Sequence, residues 1–222
     1  AAVLPDVFVN AGSAQTVCSG QPATIAASTT GGTAPFGYTW DNGPTTDTQT
    51  VNPTATTTYT VTVIDANSCT ASSSVTVNVE QYPVVSVSSN ASICYGASTQ
   101  LTASGGSSFS WSPADGLSDP AIANPVASPL TTTPYTVTVS NGLCSSTGNV
   151  IVTVEPEIQT AFTPDTTQGE APLEVTFTNN TTGAASYLWD FGDGNISNAV
   201  SPTNTYTEQG SYTVTMVATN TL

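Results

Sequence analysis

The chain of 222 residues carries fifteen Asp and Glu but no Lys, Arg or His, a formal charge of −15 with no cation to offset it. Nucleic-acid binding draws its affinity from basic side chains on phosphates and is excluded, as are Ser-His triads, His proton relays and His-ligated zinc. With 38% hydrophobic and 7% charged residues, the chain is too apolar for disorder, and no apolar run approaches the roughly 18 residues of a membrane span.

In chain order, Ala1-Ala2-Val3-Leu4-Pro5 has neither a Met nor a basic signal segment, so the sequence reads as a mature or excised piece. A first repeat, expected over 1–80, carries Val17-Cys18-Ser19-Gly20-Gln21, then Trp40 before Asp41-Asn42-Gly43. Next come the strand Thr57-Thr58-Tyr59-Thr60-Val61-Thr62-Val63, Cys69, and the alternating Val75, Val77 and Val79. A second, over 81–156, follows the linker Glu80-Gln81-Tyr82-Pro83. It carries Ile93-Cys94-Tyr95-Gly96, Trp111, Asp115-Gly116, Thr133-Pro134-Tyr135-Thr136-Val137-Thr138-Val139, Cys144, and Val150, Val152 and Val154. A third, over 157–222, carries Leu173, Val175 and Phe177, then Trp189-Asp190-Phe191-Gly192-Asp193-Gly194, and Gly210-Ser211-Tyr212-Thr213-Val214-Thr215-Met216.

Tyr59, Tyr135 and Tyr212 stand 76 and 77 residues apart, and self-similarity at a fixed period marks tandem modules. Apolar residues alternate with period two between Gly, Pro and Asn clusters, which predicts short strands buried on one face. Trp40, Trp111 and Trp189 on the third strands and Tyr59, Tyr135 and Tyr212 near the start of the penultimate ones are expected as core markers. The fold class is therefore all-β: three tandem Ig-like β-sandwich domains. Both linkers, Glu80-Gln81-Tyr82-Pro83 and Val154-Glu155-Pro156-Glu157, contain Pro, which stiffens the joints and predicts a semi-rigid rod. The first two repeats have a last strand, at Ser73 to Val79 and Asn149 to Val154. The third reaches Thr219-Asn220-Thr221-Leu222 where that strand's turn should begin, so it is expected to be completed by further chain or by a neighbouring subunit.

Four cysteines in an export-like composition, two per complete repeat, predict two disulfides. Pairing within repeats, Cys18 with Cys69 and Cys94 with Cys144, is favoured by the matched spacing. Against it, the two members of each pair fall towards opposite ends of an immunoglobulin layout, which leaves Cys18 to Cys144 as the alternative. Asp190 and Asp193 flank a Gly turn. They are read as turn-shaping residues, with calcium as the functional alternative, although two carboxylates are short of that ion's six to eight oxygens. No Asp-Thr-Gly or Asp-Ser-Gly motif occurs, and nothing predicts the cleft a glycosidase pair requires. Sequons at Asn90, Asn179 and Asn195 are weak signals in a Ser/Thr-rich chain.

The third repeat, through Pro172-Leu173-Glu174-Val175-Thr176-Phe177, Trp189-Asp190-Phe191-Gly192-Asp193-Gly194 and Gly210-Ser211-Tyr212-Thr213-Val214, closely resembles the PKD domain. The first two, through the segments around Cys18 and Cys94, resemble the Cys-containing immunoglobulin-like repeats of giant Bacteroidota surface adhesins of the gliding-motility type. These resemblances imply an extracellular, cell-surface protein exported through a type IX-like system. They imply a non-catalytic segment of an adhesin or filament, whose partners are further repeats or neighbouring subunits and a polysaccharide or surface ligand. The alternative is an accessory binding region of a secreted hydrolase. No resident cofactor is expected, with calcium at Asp190 and Asp193 kept as the alternative.

Overall fold

A computed structural model describes residues 6–221, and every regular element among them is a β-strand. The chain divides into two compact units. The first runs to Ser86 and takes in Ser104–Phe109 and Thr138–Gly148; the second holds Val87–Ala103, Ser110–Val137 and the chain from Asn149 onward.

The first repeat supplies β1 (Val7–Asn10), β2 (Gln15–Cys18), β3 (Ala23–Ala26), β4 (Ser28–Gly31), β5 (Gly37–Trp40), β6 (Thr48–Val51), β7 (Thr57–Ile64) and β8 (Thr70–Glu80). One sheet has the order β2-β8-β7-β5, and β1 with β4 and β3 with β6 make the pairs that face it. The alternation read from the sequence is what separates core from surface. Tyr59, Val61 and Val63 of β7 and Val75 and Val77 of β8 are buried, with Trp40, Ile25 and Val51 against them. Each fully buried Val contributes about 1.5–3 kcal/mol of transfer free energy against the entropy of ordering the chain. The intervening positions form a ladder of hydroxyl pairs across β7 and β8: Thr58 with Thr76 at 3.0 Å, Thr60 with Ser74 at 2.9 Å and Thr62 with Ser72 at 2.9 Å.

The second repeat supplies β9 (Ser86–Val87), β10 (Ala91–Cys94), β11 (Thr99–Gln100), β12 (Ala103–Ser104), β13 (Ser108–Ser112), β14 (Val126–Ala127), β15 (Thr133–Ser140) and β16 (Ser145–Glu155). Its main sheet, β10-β16-β15-β13, repeats the order of the first. The third supplies β17 (Phe162–Pro164), β18 (Leu173–Asn179), β19 (Ser186–Asp190), β20 (Ile196–Ser197), β21 (Thr203–Tyr206) and β22 (Thr215–Thr219). Its sheets are β17-β18-β21 and β20-β19-β22. The fold is a tandem array of Ig-like β-sandwiches, as the sequence predicts.

The three tryptophans behave alike. Trp40, Trp111 and Trp189 are 1%, 3% and 0% exposed. Each indole N–H is satisfied by a backbone carbonyl, of Thr46 at 2.9 Å, Ile122 at 3.0 Å and Ala199 at 2.9 Å respectively. A buried indole donor left unpaired would cost about 1–3 kcal/mol, so the loop after each Trp strand is held in place by its own tryptophan.

Candidate strand-acceptor groove and cysteine positions

β2 lies parallel to β8 with Gln15 opposite Val77 and Cys18 opposite Glu80, and Ser19 N–H donates to Glu80 O at 2.9 Å. Cys18 therefore sits where the chain leaves the first repeat. Cys69 precedes Thr70 at the other end of the eleven-residue β8. At about 3.3 Å per residue that strand is roughly 35 Å long, whereas a disulfide requires Cα atoms about 4.4–6.8 Å apart. The pairing of Cys18 with Cys69 is therefore wrong, and β16, also eleven residues long, separates Cys94 from Cys144 in the same way. The disulfide present is Cys18–Cys144, with Cα atoms 5.8 Å apart. Cys144 lies in the turn between β15 and β16, its sulfur 3.7 Å from Glu80 O, and Asn141 Nδ2 donates to Gln81 O at 3.0 Å in the same junction. Cys69 and Cys94 are free thiols, half-buried and exposed respectively, so among the described residues the expectation of two disulfides gives way to one.

Asp65 opens the turn that carries Cys69. Its buried carboxylate accepts N–H donors of Thr33 at 2.9 Å, Asn67 at 2.9 Å and Cys69 at 2.8 Å. Burial pushes its pKa up, but the donors outweigh burial and hold it below the ordinary aspartate value. Sequence reading missed this residue. The available signal was the short polar turn Asp65-Ala66-Asn67-Ser68 directly after an alternating strand.

The third sandwich differs at one edge. In the first, Thr57 and Tyr59 of β7 stand opposite Val77 and Val75 of β8. Trp40 stands opposite Val61, and Trp189 opposite Met216. Met216 is thus the counterpart of Val61, and Tyr212 and Val214 are the counterparts of Thr57 and Tyr59. The register is two residues further along than the shared Tyr-Thr-Val-Thr would place it. Among the described residues β22 has β19 on one side and no strand on the other. Val61 is fully buried, and Met216 is only half-buried. Beside the segment that leads into β22 is a groove of about 580 Å³ walled by Leu173, Val175, Phe177, Tyr206, Tyr212 and Val214. Tyr212, expected as a core marker equal to Tyr59 and Tyr135, is half-exposed. It stacks on Tyr206 with ring centroids 4.5 Å apart and donates its hydroxyl to Glu208 O at 3.0 Å. Tyr59 and Tyr135 are buried, and Tyr135 donates to Asp115 O at 2.9 Å.

Asp190 and Asp193 are held within their turn. Asp190 accepts Gly192 N–H at 2.9 Å. Asp193 accepts Asn195 N–H at 2.9 Å, Asn195 Nδ2 at 3.0 Å and Asn204 Nδ2 at 2.7 Å. Burial raises the Asp193 pKa and these donors more than reverse it, for a net lowering. Among the described residues no three acidic, Cys or His side chains gather as a metal-binding group. The turn is closed by Gly192 at φ 77° and Gly194 at φ 93°, backbone that favours glycine.

Residues 153–221 match the PKD domain family. A stretch of 35 residues is 54% identical to the pre-pro-metalloprotease PrtV of Vibrio cholerae, covering 16% of this chain and 4% of PrtV, so the chain spans a small fraction of the curated relative it matches. Among solved structures, the titin domains I67–I69 align over 100% of this chain and 90% of their own at 13% identity and TM-score 0.45. The Sidekick-1 immunoglobulin domains 1–5 align over 99% and 56% at 12% identity and TM-score 0.40. The Trp189–Gly194 turn and the open groove both lie inside the PKD match.

Proposed function

We propose that this chain is a non-catalytic structural segment of a large extracellular, cell-surface adhesin or filament. Its successive sandwiches are fastened to one another so that they present or hold a distant binding element, such as one for a polysaccharide or surface ligand. The observation that carries this reading is the Cys18–Cys144 disulfide. It joins the exit of one repeat to a turn of the next, an arrangement that serves a connected array and has no use in an isolated binding domain. The groove of the third sandwich fits the same role, because a last strand from further chain or a neighbouring subunit would fill it and bury Tyr212, Val214 and Met216. The disulfide supports extracellular placement, because an oxidising compartment preserves such a bond.

Single-molecule extension from the two chain ends tests the role. In the oxidised protein the 126 residues between the bridged cysteines are bypassed, so about 45 nm of contour length at ~3.6 Å per residue stays hidden until reductant is added. Equal extension with and without reductant would refute load-bearing by this bridge. The match to PrtV favours a second reading, an accessory region of a secreted hydrolase. A catalytic domain elsewhere in the same natural polypeptide would decide for it. Hydrolysis of peptide or glycan by the purified segment, lost in Asp190→Asn, would refute the non-catalytic role itself.

A further inference from the structure

Cys94 occupies in the second repeat the place that Cys18 occupies in the first. Cys18 pairs with Glu80 of the last strand and Cys94 with Glu155. The next N–H, of Ser19 or Tyr95, donates to that glutamate's carbonyl at 2.9 or 3.1 Å. The turn then closes alike, with Gln21 N–H donating to Cys18 O at 2.9 Å and Ala97 N–H to Cys94 O at 3.0 Å. One of these equivalent sulfurs is bonded and the other is an exposed thiol.

The bonded one shows where a partner comes from. Cys144 belongs to the turn after β15, which opens with Asn141, and the corresponding turn after β7 opens with Asp65 and ends at Cys69. In both, the first residue's N–H donates to the cysteine's carbonyl, at 2.9 Å for Asp65 and 3.2 Å for Asn141. The residue in that place after β22 is Asn220, since Thr219 faces Ser186 as Ile64 faces Gly37. Asn220 Nδ2 lies 3.8 Å from Cys94 Sγ, and Cys94 opens into a cleft lined by Tyr95, Pro156, Ile158, Ala218 and Asn220. The end of β22 is thus delivered to Cys94 as the turn after β15 is delivered to Cys18.

We infer that Cys94 is one half of a second inter-repeat disulfide, whose other half is a cysteine in the turn that follows β22, three or four residues beyond Asn220 by the spacing of the two earlier turns. The bridge forms when the two thiols give up two protons and two electrons to an exogenous disulfide, which is reduced to two thiols. The inference stands whether the whole protein is an adhesin or a hydrolase accessory, because it rests on the equivalence of the repeats alone.

Non-reducing peptide mapping of the polypeptide as its natural source produces it, with a protease other than trypsin, is the direct test. The expected result is the Cys94 peptide linked to a peptide lying after Leu222. Recovery of Cys94 as an alkylated free thiol, or bridged to Cys69, overturns the inference. The 222-residue chain gives a second readout through Asn220→Cys and oxidised glutathione as the oxidant. An internal bridge between positions 94 and 220 is expected, with loss of the alkylatable Cys94 thiol while Cys69 still reacts. A mixed disulfide of Cys94 with glutathione and no internal bridge would show that the end of β22 does not present a thiol to Cys94, and would overturn it.

Discussion

Removing the Cys18–Cys144 bridge should loosen the first repeat far more than the third. The bridge closes a loop of 126 residues, about 4.9 kcal/mol in the chain-entropy description if everything between the cysteines unfolds together. The second repeat need not unfold with the first. While it stays folded, Cys144 is held beside Glu80 and Gln81, so the loop that matters runs from Cys18 to that junction, about 60 residues, and the contribution is about 4 kcal/mol. At roughly 1.4 kcal/mol per decade, that is nearly a thousandfold in the opening equilibrium. Native-state amide exchange read by mass spectrometry after pepsin digestion measures it directly. The buried amides of Val61, Val63 and Val77 report on the first repeat, and those of Trp189 and Phe191 on the third. Reduction of the native chain is the cleaner perturbation, because Cys18→Ala with Cys144→Ala also deletes buried sulfur. Protection in β7 and β8 should fall by two to three orders of magnitude in both. A fall of less than tenfold there, or an equal fall at Trp189, would refute the reasoning.

Four further outcomes follow from the packing and electrostatics. Trp189→Ala removes the ring that meets Phe162 at 5.0 Å and Phe177 at 5.8 Å, and should cost about 3–5 kcal/mol in urea unfolding of the third sandwich. Gly192→Ala would set its Cβ 2.6 Å from Thr213 O at φ +77°, whereas Gly194→Ala meets nothing within 4 Å at φ +93°; the first should cost about 2–3 kcal/mol and the second about 1. Because Asp65 has a lowered pKa in the folded state, its contribution is complete above the unfolded aspartate pKa of about 3.9 and is lost as pH falls through the folded value. Asp65→Asn should flatten the acid limb of the first repeat's stability curve in that window. Millimolar calcium should leave the melting temperature of the third sandwich unchanged, since the oxygens of Asp193 already accept three donors; a calcium-dependent rise would assign the turn an ion after all.

Much of the fold was legible because period-two patterning and the Trp and Tyr landmarks are local signals. Val61, Val63, Val75 and Val77 point inward for the reason their spacing suggests, and each Trp is buried on a strand, although only Trp189 is on the third strand of its repeat while Trp40 and Trp111 are on the fifth. The register of the third sandwich was not legible. The shared Tyr-Thr-Val-Thr segment suggests that Tyr212 copies Tyr59, yet the strand slides by two residues, and a slip of two keeps the same face inward, so alternation carries no trace of it. The cysteine pairing failed differently. Matched spacing within each repeat reflects the length of one module, whereas the bond depends on which ends of successive modules meet. Parallel pairing of β2 with β8 settles that, and it is a long-range fact. Asp65 escaped notice because one of the three backbone donors it satisfies, Thr33, lies 32 residues away, so its own turn displays only part of the role.

The hydroxyl ladder across β7 and β8 has a consequence for the medium in which the chain works. Thr58–Thr76, Thr60–Ser74 and Thr62–Ser72 hold the outer face of that sheet through neutral pairs, and a chain without Lys, Arg or His has no side-chain ion pairs to lose. Dissolved salt therefore screens only the mutual repulsion of fifteen carboxylates. Where most protein surfaces lose attraction as ionic strength rises, this one sheds a penalty, so brine should tighten the molecule and fresh water should strain it.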